Sequence, residues 1–270
     1  MSPERLDCFG RQEWGEAGAD HMARYLFAGQ FANGKRVLDV GTGFGYGAAL
    51  LKAAGAASVV AFDIDEAVVA QARGRFGRCG IEFCTANSES FDATLTGFDL
   101  IVSFENIEHI TRPDEFVRAS RVALNPSGVL LCSTPARERD SDFVNGKPKN
   151  PFHINEWFED ELLALMRTGF ASTEMYSQVE TFTLMKRCQG LDALVRMLSH
   201  PLRGSMLHNS LRVVSRASQA VGVKAVSATL KLGGDISGLA CPSPADYPVV
   251  HSSVRDLFGG AFCHVAICRV

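Results

Sequence analysis

Residues 36–47 read Arg-Val-Leu-Asp-Val-Gly-Thr-Gly-Phe-Gly-Tyr-Gly, a short apolar run followed by glycine at every second position. The run at 37–40 predicts a buried strand, and the alanine- and leucine-rich segment 48–54 has high helix propensity. A strand, a glycine turn and a helix in this order bring backbone N–H groups and a helix N-terminus close to a ligand. Glycine suits the turn because a Cβ would block close approach and because such turns need positive φ angles. The stretch therefore predicts a ligand-binding loop.

A second predicted strand, 58–62, supplies the next part of this site. It runs into Asp63, 22 residues after Gly41. An acidic side chain at the tip of the second strand is suited to bind the two hydroxyl groups of a ribose. A glycine turn alone is weak evidence, but the turn and the acidic residue together predict a site for a nucleoside-type cofactor.

The spacing of the glycines separates one class of cofactor from another. Dinucleotide sites prefer Gly-x-Gly-x-x-Gly, in which the third glycine lets the helix pack against the strand. Residues 38–45 instead read Leu-Asp-Val-Gly-Thr-Gly-Phe-Gly, and residues 59–65 read Val-Val-Ala-Phe-Asp-Ile-Asp. Found together and in this order, the two segments resemble the first two motifs of class I S-adenosylmethionine-dependent methyltransferases.

This resemblance implies S-adenosyl-L-methionine as the cofactor and a set of residues that hold it. In the family, an Asp after the third strand commonly bonds the adenine amino group. Asn87 stands at that place here, and its amide oxygen can still accept a hydrogen bond. The expected cofactor-binding residues are Gly41, Thr42, Gly43, Gly45, Asp63, Ile64, Asn87, Ser88 and Phe104.

Predicted strands and helices alternate along the rest of the main domain. This order is typical of an α/β protein with a doubly wound, mostly parallel sheet. The resemblance implies a Rossmann-like sheet of seven strands that closes with an antiparallel pair. We assign residues 1–180 and 262–270 to the cofactor-binding domain, and residues 181–261 to a helical insert that serves as a lid or substrate module.

Several expectations concern local structure around the site. We expect a helix over 12–30, in which the cluster at 21–25 forms either a solvated polar face or a cover over the cofactor. The residues Asn-Pro-Ser-Gly at 125–128 predict a turn before the fifth strand. A long polar loop at 134–154 leaves the carboxyl end of that strand, where ligands bind in such sheets. A helix is expected over 155–167, with Asn155 as its N-cap.

The composition is that of an ordinary globular protein. Of the 270 residues, 46% are hydrophobic and 21% are charged, which predicts one substantial core with an elaboration. No run of eighteen apolar residues exists. The first residues contain no basic and then apolar leader, and the eight cysteines form no Cys-x-x-Cys pair, so we expect a cytoplasmic protein with reduced thiols.

The charge distribution is uneven although the net charge is only −3. The stretch 186–231 contains eight Lys and Arg residues and one acidic residue, Asp192. This stretch could contact anionic lipid from the membrane surface, or it could be the solvated face of a packed lid. The acidic main domain disfavours nucleic acid as a partner, because phosphate binding usually needs a broadly basic face.

The segment Ser103–His109 provides the candidates for chemistry, because it follows the predicted fourth strand beside the expected methyl donor. Glu105, Glu108 and His109 would share a face if the segment turns helically. Together with His153 they form a plausible octahedral site for Mg²⁺ or Mn²⁺. Zinc is disfavoured because no set of thiolates accompanies these residues.

Three further resemblances concern the same residues. Glu-x-x-Glu-His, followed at a distance by His and then Glu-Trp, resembles the metal-binding set of small-RNA 2′-O-methyltransferases. The first part also resembles ubiquinone-pathway O-methyltransferases. Ser-Phe-Glu-x-Ile-Glu-His with a later Asn-Pro-Phe-His is similar to bacterial methyltransferases associated with polysaccharide synthesis. These resemblances cover residues 20–180 and leave the insert unmatched.

The roles of these residues and the identity of the acceptor stay open at this point. His109 or His153 could act as a general base, or a cation bound through Glu105 and Glu108 could lower the pKa of an acceptor hydroxyl. We favour O-methylation of a small molecule or glycan. The alternatives are RNA 2′-O-methylation and methylation of a quinone or lipid-linked acceptor at a membrane. A non-catalytic cofactor-binding subunit is disfavoured because the acidic and histidine positions are retained.

Overall fold

The computed structural model describes residues 16–89, 95–137, 143–144, 147–179, 249–252 and 263–270. Within these residues five helices and ten strands are defined, together with 3₁₀ turns at Gly77–Cys79 and Ile107–His109. The helices are α1 (Glu16–Gly29), α2 (Tyr46–Ala53), α3 (Glu66–Phe76), α4 (Pro113–Ala123) and α5 (Glu159–Met166). The strands are β1 (Arg36–Val40), β2 (Ser58–Asp63), β3 (Ile81–Thr85), β4 (Phe98–Phe104), β5 (Leu124–Pro135), β6 (Phe143–Val144), β7 (Lys147–Pro148), β8 (Ser172–Gln178), β9 (Val249–His251) and β10 (Cys263–Arg269).

The main sheet has the strand order β3-β2-β1-β4-β5-β10-β8-β9. The first five of these strands are parallel, with β1 at the centre between β2 and β4. The remaining pairs, β5 with β10, β10 with β8 and β8 with β9, are antiparallel. The predicted doubly wound, mostly parallel sheet with an antiparallel end is confirmed.

The predicted number of seven strands was wrong, because the described sheet has eight. The additional strand is β9, which pairs with the edge of β8 and lies within the segment that we assigned to the insert. The chain therefore returns to the sheet before the end of that segment. Residues 180–248 and 253–262 lie outside the described residues, so the helical insert and the division into domains stay predictions.

Two apolar clusters hold the helices on opposite faces of the sheet. On one face Tyr25 of α1, Leu51 of α2 and Val69 of α3 pack together on the strands. On the other face Phe116 of α4 and Leu162 of α5 belong to a second buried cluster. Burying side chains of this size stabilises the fold by about 1.5–3 kcal/mol each. Because the helices cover the two faces of the sheet, the loops at the carboxyl ends of the parallel strands are available to form a site.

Helix α5 begins at Glu159, four residues later than predicted, and Asn155 is not its N-cap. The intervening chain is held extended because Trp157 pairs with Ala136 as an isolated β-bridge. The Asn155 amide instead donates a hydrogen bond to the carbonyl of Ile110, at 2.9 Å. The contact therefore ties this segment to the end of the turn that follows β4.

The predicted turn at 125–128 was also wrong, since these residues belong to β5. The register between β4 and β5 shifts there, so that the segment forms an irregularity in the strand. Asn125 stabilises it by donating to the Gly97 carbonyl at 3.2 Å and to the Asp99 carboxylate at 2.8 Å. Among the described residues, no helix has the length and apolar character needed to cross a membrane.

Candidate active site

The glycine loop between β1 and α2 is held by the acidic residue at the end of β2. Gly41, Gly43 and Gly45 all have positive φ angles, of 72°, 54° and 82°. One carboxylate oxygen of Asp63 accepts the Gly43 N–H at 3.0 Å, and the other accepts the Asp65 N–H at 3.0 Å. Asp63 therefore fixes the loop on β2 and places a buried carboxylate beside it.

The space around the three glycines differs. A Cβ on Gly45 would lie 2.8 Å from the Phe83 ring and 2.9 Å from the Ala72 methyl group, so this glycine permits packing. A Cβ on Gly43 would meet no heavy atom of the described residues within 4 Å. Gly43 is therefore the position at which the loop faces open space and a ligand can approach the backbone.

Asp39 supports the loop from inside the sheet. It is fully buried, and its two oxygens accept hydrogen bonds from the Tyr25 hydroxyl at 3.0 Å and from Thr42 Oγ1 at 2.6 Å. Burial raises the pKa of Asp39 to about 6, although the bonds from Thr42 and Tyr25 act in the opposite direction. Thr42 thus lies in the network under the loop.

Helix α1 is part of this support. Arg24 and Tyr25 are 1% and 4% exposed, so a solvated face for the cluster at 21–25 was wrong. The Arg24 guanidinium bonds the side chain of Gln178 on β8, and the Tyr46 hydroxyl lies 3.1 Å from Nδ1 of His21. These contacts hold α1 across the carboxyl end of the sheet, next to the glycine loop.

The remaining predicted cofactor residues occupy different layers of the site. Ile64 is 62% exposed directly after Asp63, as expected for a side chain that covers a ligand. Asn87 is exposed, and its side-chain oxygen accepts the Glu89 N–H at 2.9 Å. Phe104 is 4% exposed and packs edge-to-face on Tyr25, with 5.1 Å between ring centroids, so it belongs to the floor.

These features fit S-adenosylmethionine. Asp63 offers a carboxylate to the ribose hydroxyls, and Gly43 leaves room for a ligand against the backbone. The exposed Ile64 side chain offers an apolar surface for a purine ring. A sulfonium cation is also compatible with the surrounding acidic side chains. The site therefore has the groups that this cofactor requires.

Glu105 stands at the end of β4 with a positive φ angle of 49°, which is unusual for a residue other than glycine. Its Oε1 accepts the Ser133 hydroxyl at 2.9 Å and lies 3.4 Å from the Cys263 thiol. The Arg24 guanidinium is 4.0 Å from the same oxygen. Glu105 is thus held against α1, β5 and β10.

The 3₁₀ turn after β4 brings three of the four predicted metal ligands together. Possible ligand atoms of Glu108, His109 and His153 lie within 4.8 Å of one another, and Glu105 is outside this group. The His109 and His153 rings meet edge to face, with centroids 5.2 Å apart. The contact between His109 and His153 therefore places the turn after β4 against the loop that precedes α5.

The hydrogen bonds assign a tautomer to each histidine. Nδ1 of His109 lies 3.0 Å from the Phe152 carbonyl oxygen, which can only accept, so Nδ1 carries the proton and Nε2 is the basic nitrogen. For His153, Nδ1 lies 2.7 Å from the Glu156 carboxylate and Nε2 lies 3.0 Å from Nδ2 of Asn150. Because the Asn150 oxygen accepts the Phe152 N–H at 3.1 Å, its amino group faces His153 and donates to Nε2.

Glu108 is the most buried carboxylate of this group. Its side chain is 1% exposed, and Oε2 has no hydrogen-bond partner among the described residues. Burial first, and the neighbouring Glu105 carboxylate second, raise the pKa of Glu108 well above its usual range. A buried carboxylate oxygen of this kind needs either a proton or a cation.

Sequence reasoning did not identify Asp39, Arg24 or Asn106 as parts of the site. In the sequence, Asp39 is a single acidic residue within an apolar strand. That pattern indicates a buried carboxylate whose hydrogen bonds are made inside the protein. Arg24 was part of the noted cluster at 21–25, but its burial depends on β8. Asn106 lies within the Ser103–His109 segment and carries no signal by itself.

Comparison with known proteins agrees with this geometry. A methyltransferase-domain family model matches residues 14–175. A Mycobacterium tuberculosis protein named as an S-adenosylmethionine-dependent methyltransferase is 37% identical over 158 residues, covering 57% of this chain and 56% of its own. A Dinoroseobacter shibae protein, named ubiquinone biosynthesis O-methyltransferase, is 33% identical over 143 residues, covering 52% and 55%. The chain therefore spans about half the length of these relatives.

A solved structure supports the fold alone. The [4+2]-cyclase SpnF superposes with a TM-score of 0.56 at 17% identity, over 94% of this chain and 82% of that chain. The family match spans more than half of the residues and includes the glycine loop, Asp63 and the turn after β4. The chain belongs to the class I S-adenosylmethionine-dependent methyltransferases.

Proposed function

We propose that the chain transfers a methyl group to a hydroxyl oxygen of a small-molecule or glycan acceptor, and that His109 removes the hydroxyl proton. The hydrogen bond from His109 Nδ1 to the Phe152 carbonyl, at 3.0 Å, is the observation that supports this most directly. It makes Nε2 the basic nitrogen of the neutral ring of an exposed residue in the turn that follows β4. The relatives named ubiquinone biosynthesis O-methyltransferase, 29–33% identical, also support an oxygen acceptor.

The proposed chemistry needs alignment and one proton acceptor. When bound, S-adenosylmethionine supplies an electrophilic methyl group on a positively charged sulfur. The acceptor oxygen forms a bond to the methyl carbon as the carbon–sulfur bond breaks, and His109 takes the hydroxyl proton on Nε2. A neutral imidazole suits this role because histidine is the side chain that most often acts as a general base in enzymes. His153, fixed by Asn150 and Glu156, positions the loop whose carbonyl orients His109.

The test is methyl transfer from isotope-labelled S-adenosylmethionine to a panel of catechols, phenols, sugars and RNA. We expect transfer to a hydroxyl compound, and we expect His109→Ala to lower kcat by about 10²–10⁴-fold. His251→Ala, a change of the same size on the distant strand β9, is the control. The dissociation constant of S-adenosylmethionine should stay within about threefold for both variants. Full activity of His109→Ala would refute the role of this residue.

Methylation of RNA and methylation of a membrane-associated acceptor remain predictions. Both depended on the basic stretch 186–231, which lies outside the described residues. RNA in the panel tests the first, and flotation with anionic liposomes tests the second. If RNA became labelled, or if the protein were recovered in the lipid fraction, the proposed acceptor would be RNA or a membrane-associated molecule instead of a free small molecule.

We propose, as a second possibility for the same turn, that Glu108, His109 and His153 bind a divalent cation. Their ligand atoms already lie within 4.8 Å of one another. A cation would also supply the partner that the buried Oε2 of Glu108 lacks among the described residues. Two imidazoles and one carboxylate favour Mn²⁺ over Mg²⁺, since Mg²⁺ prefers oxygen ligands.

This second proposal requires a local change and has its own test. His153 Nε2 accepts a bond from Asn150, which must open before that nitrogen can bind a cation. Mn²⁺ binding should be seen by electron paramagnetic resonance without any acceptor, and Glu108→Gln should abolish it. EDTA should remove activity and Mn²⁺ restore it. Activity that persists in EDTA would leave His109 as the base and exclude the cation from the reaction.

A further inference from the structure

Asn106 makes contacts at the junction of the cofactor loop and the turn after β4. Its side-chain oxygen accepts the Ser88 hydroxyl at 3.3 Å, and its side-chain amino group donates to the Ser103 hydroxyl oxygen at 3.1 Å. Ser88 follows β3, whereas Ser103 is on β4. One half-buried amide therefore joins the carboxyl ends of two strands that are not neighbours in the sheet, since β2 and β1 lie between them.

The same amide lies against the glycine loop. A Cβ on Gly41 would be 2.7 Å from the Asn106 side-chain oxygen and 2.9 Å from its amide carbon. The equivalent position on Gly43 meets nothing among the described residues within 4 Å. Gly41 is therefore required by the close approach of Asn106 as well as by its positive φ angle, while Gly43 faces the ligand space.

Asn106 also holds the turn that carries His109. Its backbone carbonyl accepts the His109 N–H at 3.1 Å, within the 3₁₀ turn that starts at Ile107. The side chain of Asn106 thus contacts the cofactor loop while its backbone fixes the proposed base.

We infer that Asn106 is a positioning residue: it fixes the glycine loop, the segment after β3 and the His109 turn in the mutual placement that binds the methyl donor. The two side-chain hydrogen bonds and the packing of the amide against Gly41 are together stronger than their separate values suggest, because each restricts the freedom of the others. This inference rests on the methyl-donor site. It does not depend on the acceptor or on a metal, so it can fail while the proposed function stands.

Hydrogen bonding can be separated from packing by Asn106→Leu, which keeps the branched shape and removes the amide. A matched control is Asn125, another half-buried asparagine, whose amide joins the start of β5 to the start of β4 and the residue before it, at the opposite end of β4 from Asn106. Replacing Asn125 by Leu costs hydrogen bonds of the same kind. It should leave the donor site unchanged, because the side-chain hydrogen bonds of Asn125 go to Gly97 and Asp99 at the other end of β4.

The experiment is isothermal titration calorimetry with S-adenosylmethionine alone, combined with thermal unfolding of each variant. We expect Asn106→Leu to weaken binding about tenfold, since two hydrogen bonds worth about a factor of five each are partly compensated. Asn125→Leu should lower the melting temperature similarly but keep the dissociation constant within about twofold. Equal dissociation constants for Asn106→Leu and the wild type would overturn the inference, as would equal weakening by both variants.

A second variant keeps the test decisive if Asn106→Leu does not fold. Ser88→Ala removes the hydroxyl that donates to Asn106 at 3.3 Å, so we expect about a threefold weaker dissociation constant with little change in melting temperature. In Asn106→Asp the carboxylate can accept from both serine hydroxyls, so binding should be closer to the wild type than in Asn106→Leu. Unchanged binding in Ser88→Ala, or an Asp variant as weak as the Leu variant, would contradict the role proposed for these hydrogen bonds.

Discussion

The glycine loop and the acidic side chains that hold it are close in sequence, whereas the proposed acceptor side joins segments more than forty positions apart. Gly43 and Asp63 are separated by 20 positions, and Asp39 and Thr42 by 3. By contrast, the bond from His109 to Phe152 spans 43 positions. The cofactor contacts lie on adjacent parallel strands, whose spacing fixes them. The contacts of the proposed acceptor side depend on how the loop before α5 packs against the turn after β4.

This difference makes the two sides sensitive to different changes. The cofactor loop is packed against α1 and has little freedom, so changes of volume under it should be costly. The turn and loop of the acceptor side are held by a few hydrogen bonds to backbone carbonyls, so single losses should be small in stability and larger in activity. Four substitutions, two of them paired with a second variant for comparison, test this difference.

The largest effect on stability is expected from Gly47→Ala. The new methyl carbon would lie 2.0 Å from the Tyr25 ring, which cannot move freely because its hydroxyl bonds Asp39 at 3.0 Å. We expect the free energy of unfolding to fall by more than about 3 kcal/mol, since overpacking a rigid core is among the costliest single changes. Urea denaturation measures it.

Gly74→Ala is the matched control, because it makes the same change inside helix α3. A Cβ there meets nothing within 4 Å among the described residues. The variant should be stabilised by up to about 1 kcal/mol, the difference in helix propensity between Gly and Ala. Similar destabilisation of the two variants would mean that packing of α1 on α2 does not support the loop.

Asp63→Ala should have the largest effect on cofactor binding. It removes the carboxylate that accepts the Gly43 and Asp65 N–H groups, together with the expected bonds to ribose. We expect about 3 kcal/mol of lost binding, roughly a hundredfold in the dissociation constant of S-adenosylmethionine. Glu105→Ala should lose less, because Glu105 faces Ser133 and Cys263. The reverse order in calorimetry would contradict the assignment.

Asp39→Asn should change how stability depends on pH. Burial raises the pKa of Asp39 to about 6 from its ordinary value of 3.8, so between these values the folded protein binds the proton more strongly than the unfolded chain. This group therefore makes the wild type lose on the order of 3 kcal/mol of stability as pH rises from about 4 through the folded pKa of about 6, with little further loss above about pH 7.

Asparagine does not titrate, so the variant should lack this part of the pH slope. The measurement is urea denaturation of both proteins at half-unit steps from pH 4.5 to 7.5. The difference between the two curves isolates Asp39, because the half-buried Asp20, with a pKa raised to about 6 chiefly by desolvation, is common to both. Parallel curves would show that Asp39 does not hold a proton in the folded state in this range.

Asn155→Ala is expected to have the smallest effect on stability. It removes one hydrogen bond, from the Asn155 amide to the Ile110 carbonyl, so we expect a loss of about 1 kcal/mol. Methyl transfer should fall further than stability does, because the lost bond ties the loop to the end of the His109 turn. A loss of activity no larger than the loss of folded protein at the assay temperature would show that the acceptor side is not held by this contact.

The sequence predicted most of the parallel half of the fold. Short-range signals mark β1 and β2, which are apolar runs that end at the glycine turn and at Asp63. Helix α3 begins after Asp65, whose side chain accepts the Ala67 N–H. Strand β9 was not predicted, because a strand of three residues at the edge of a sheet is too short to show an alternating apolar pattern. The N-terminal end of α5 was misplaced because the bridge between Ala136 and Trp157 overrides local helix propensity.

The sequence by itself determined the class of cofactor, since the glycine spacing and Asp63 encode a backbone geometry that needs only neighbouring strands. The tertiary structure decided which polar residues share one site. It separated Glu105 from Glu108 and His109, brought His153 to them, and placed Asn106 against Gly41. Such placements depend on the packing of α1 and of the loop before α5, contacts between distant segments that no local pattern specifies.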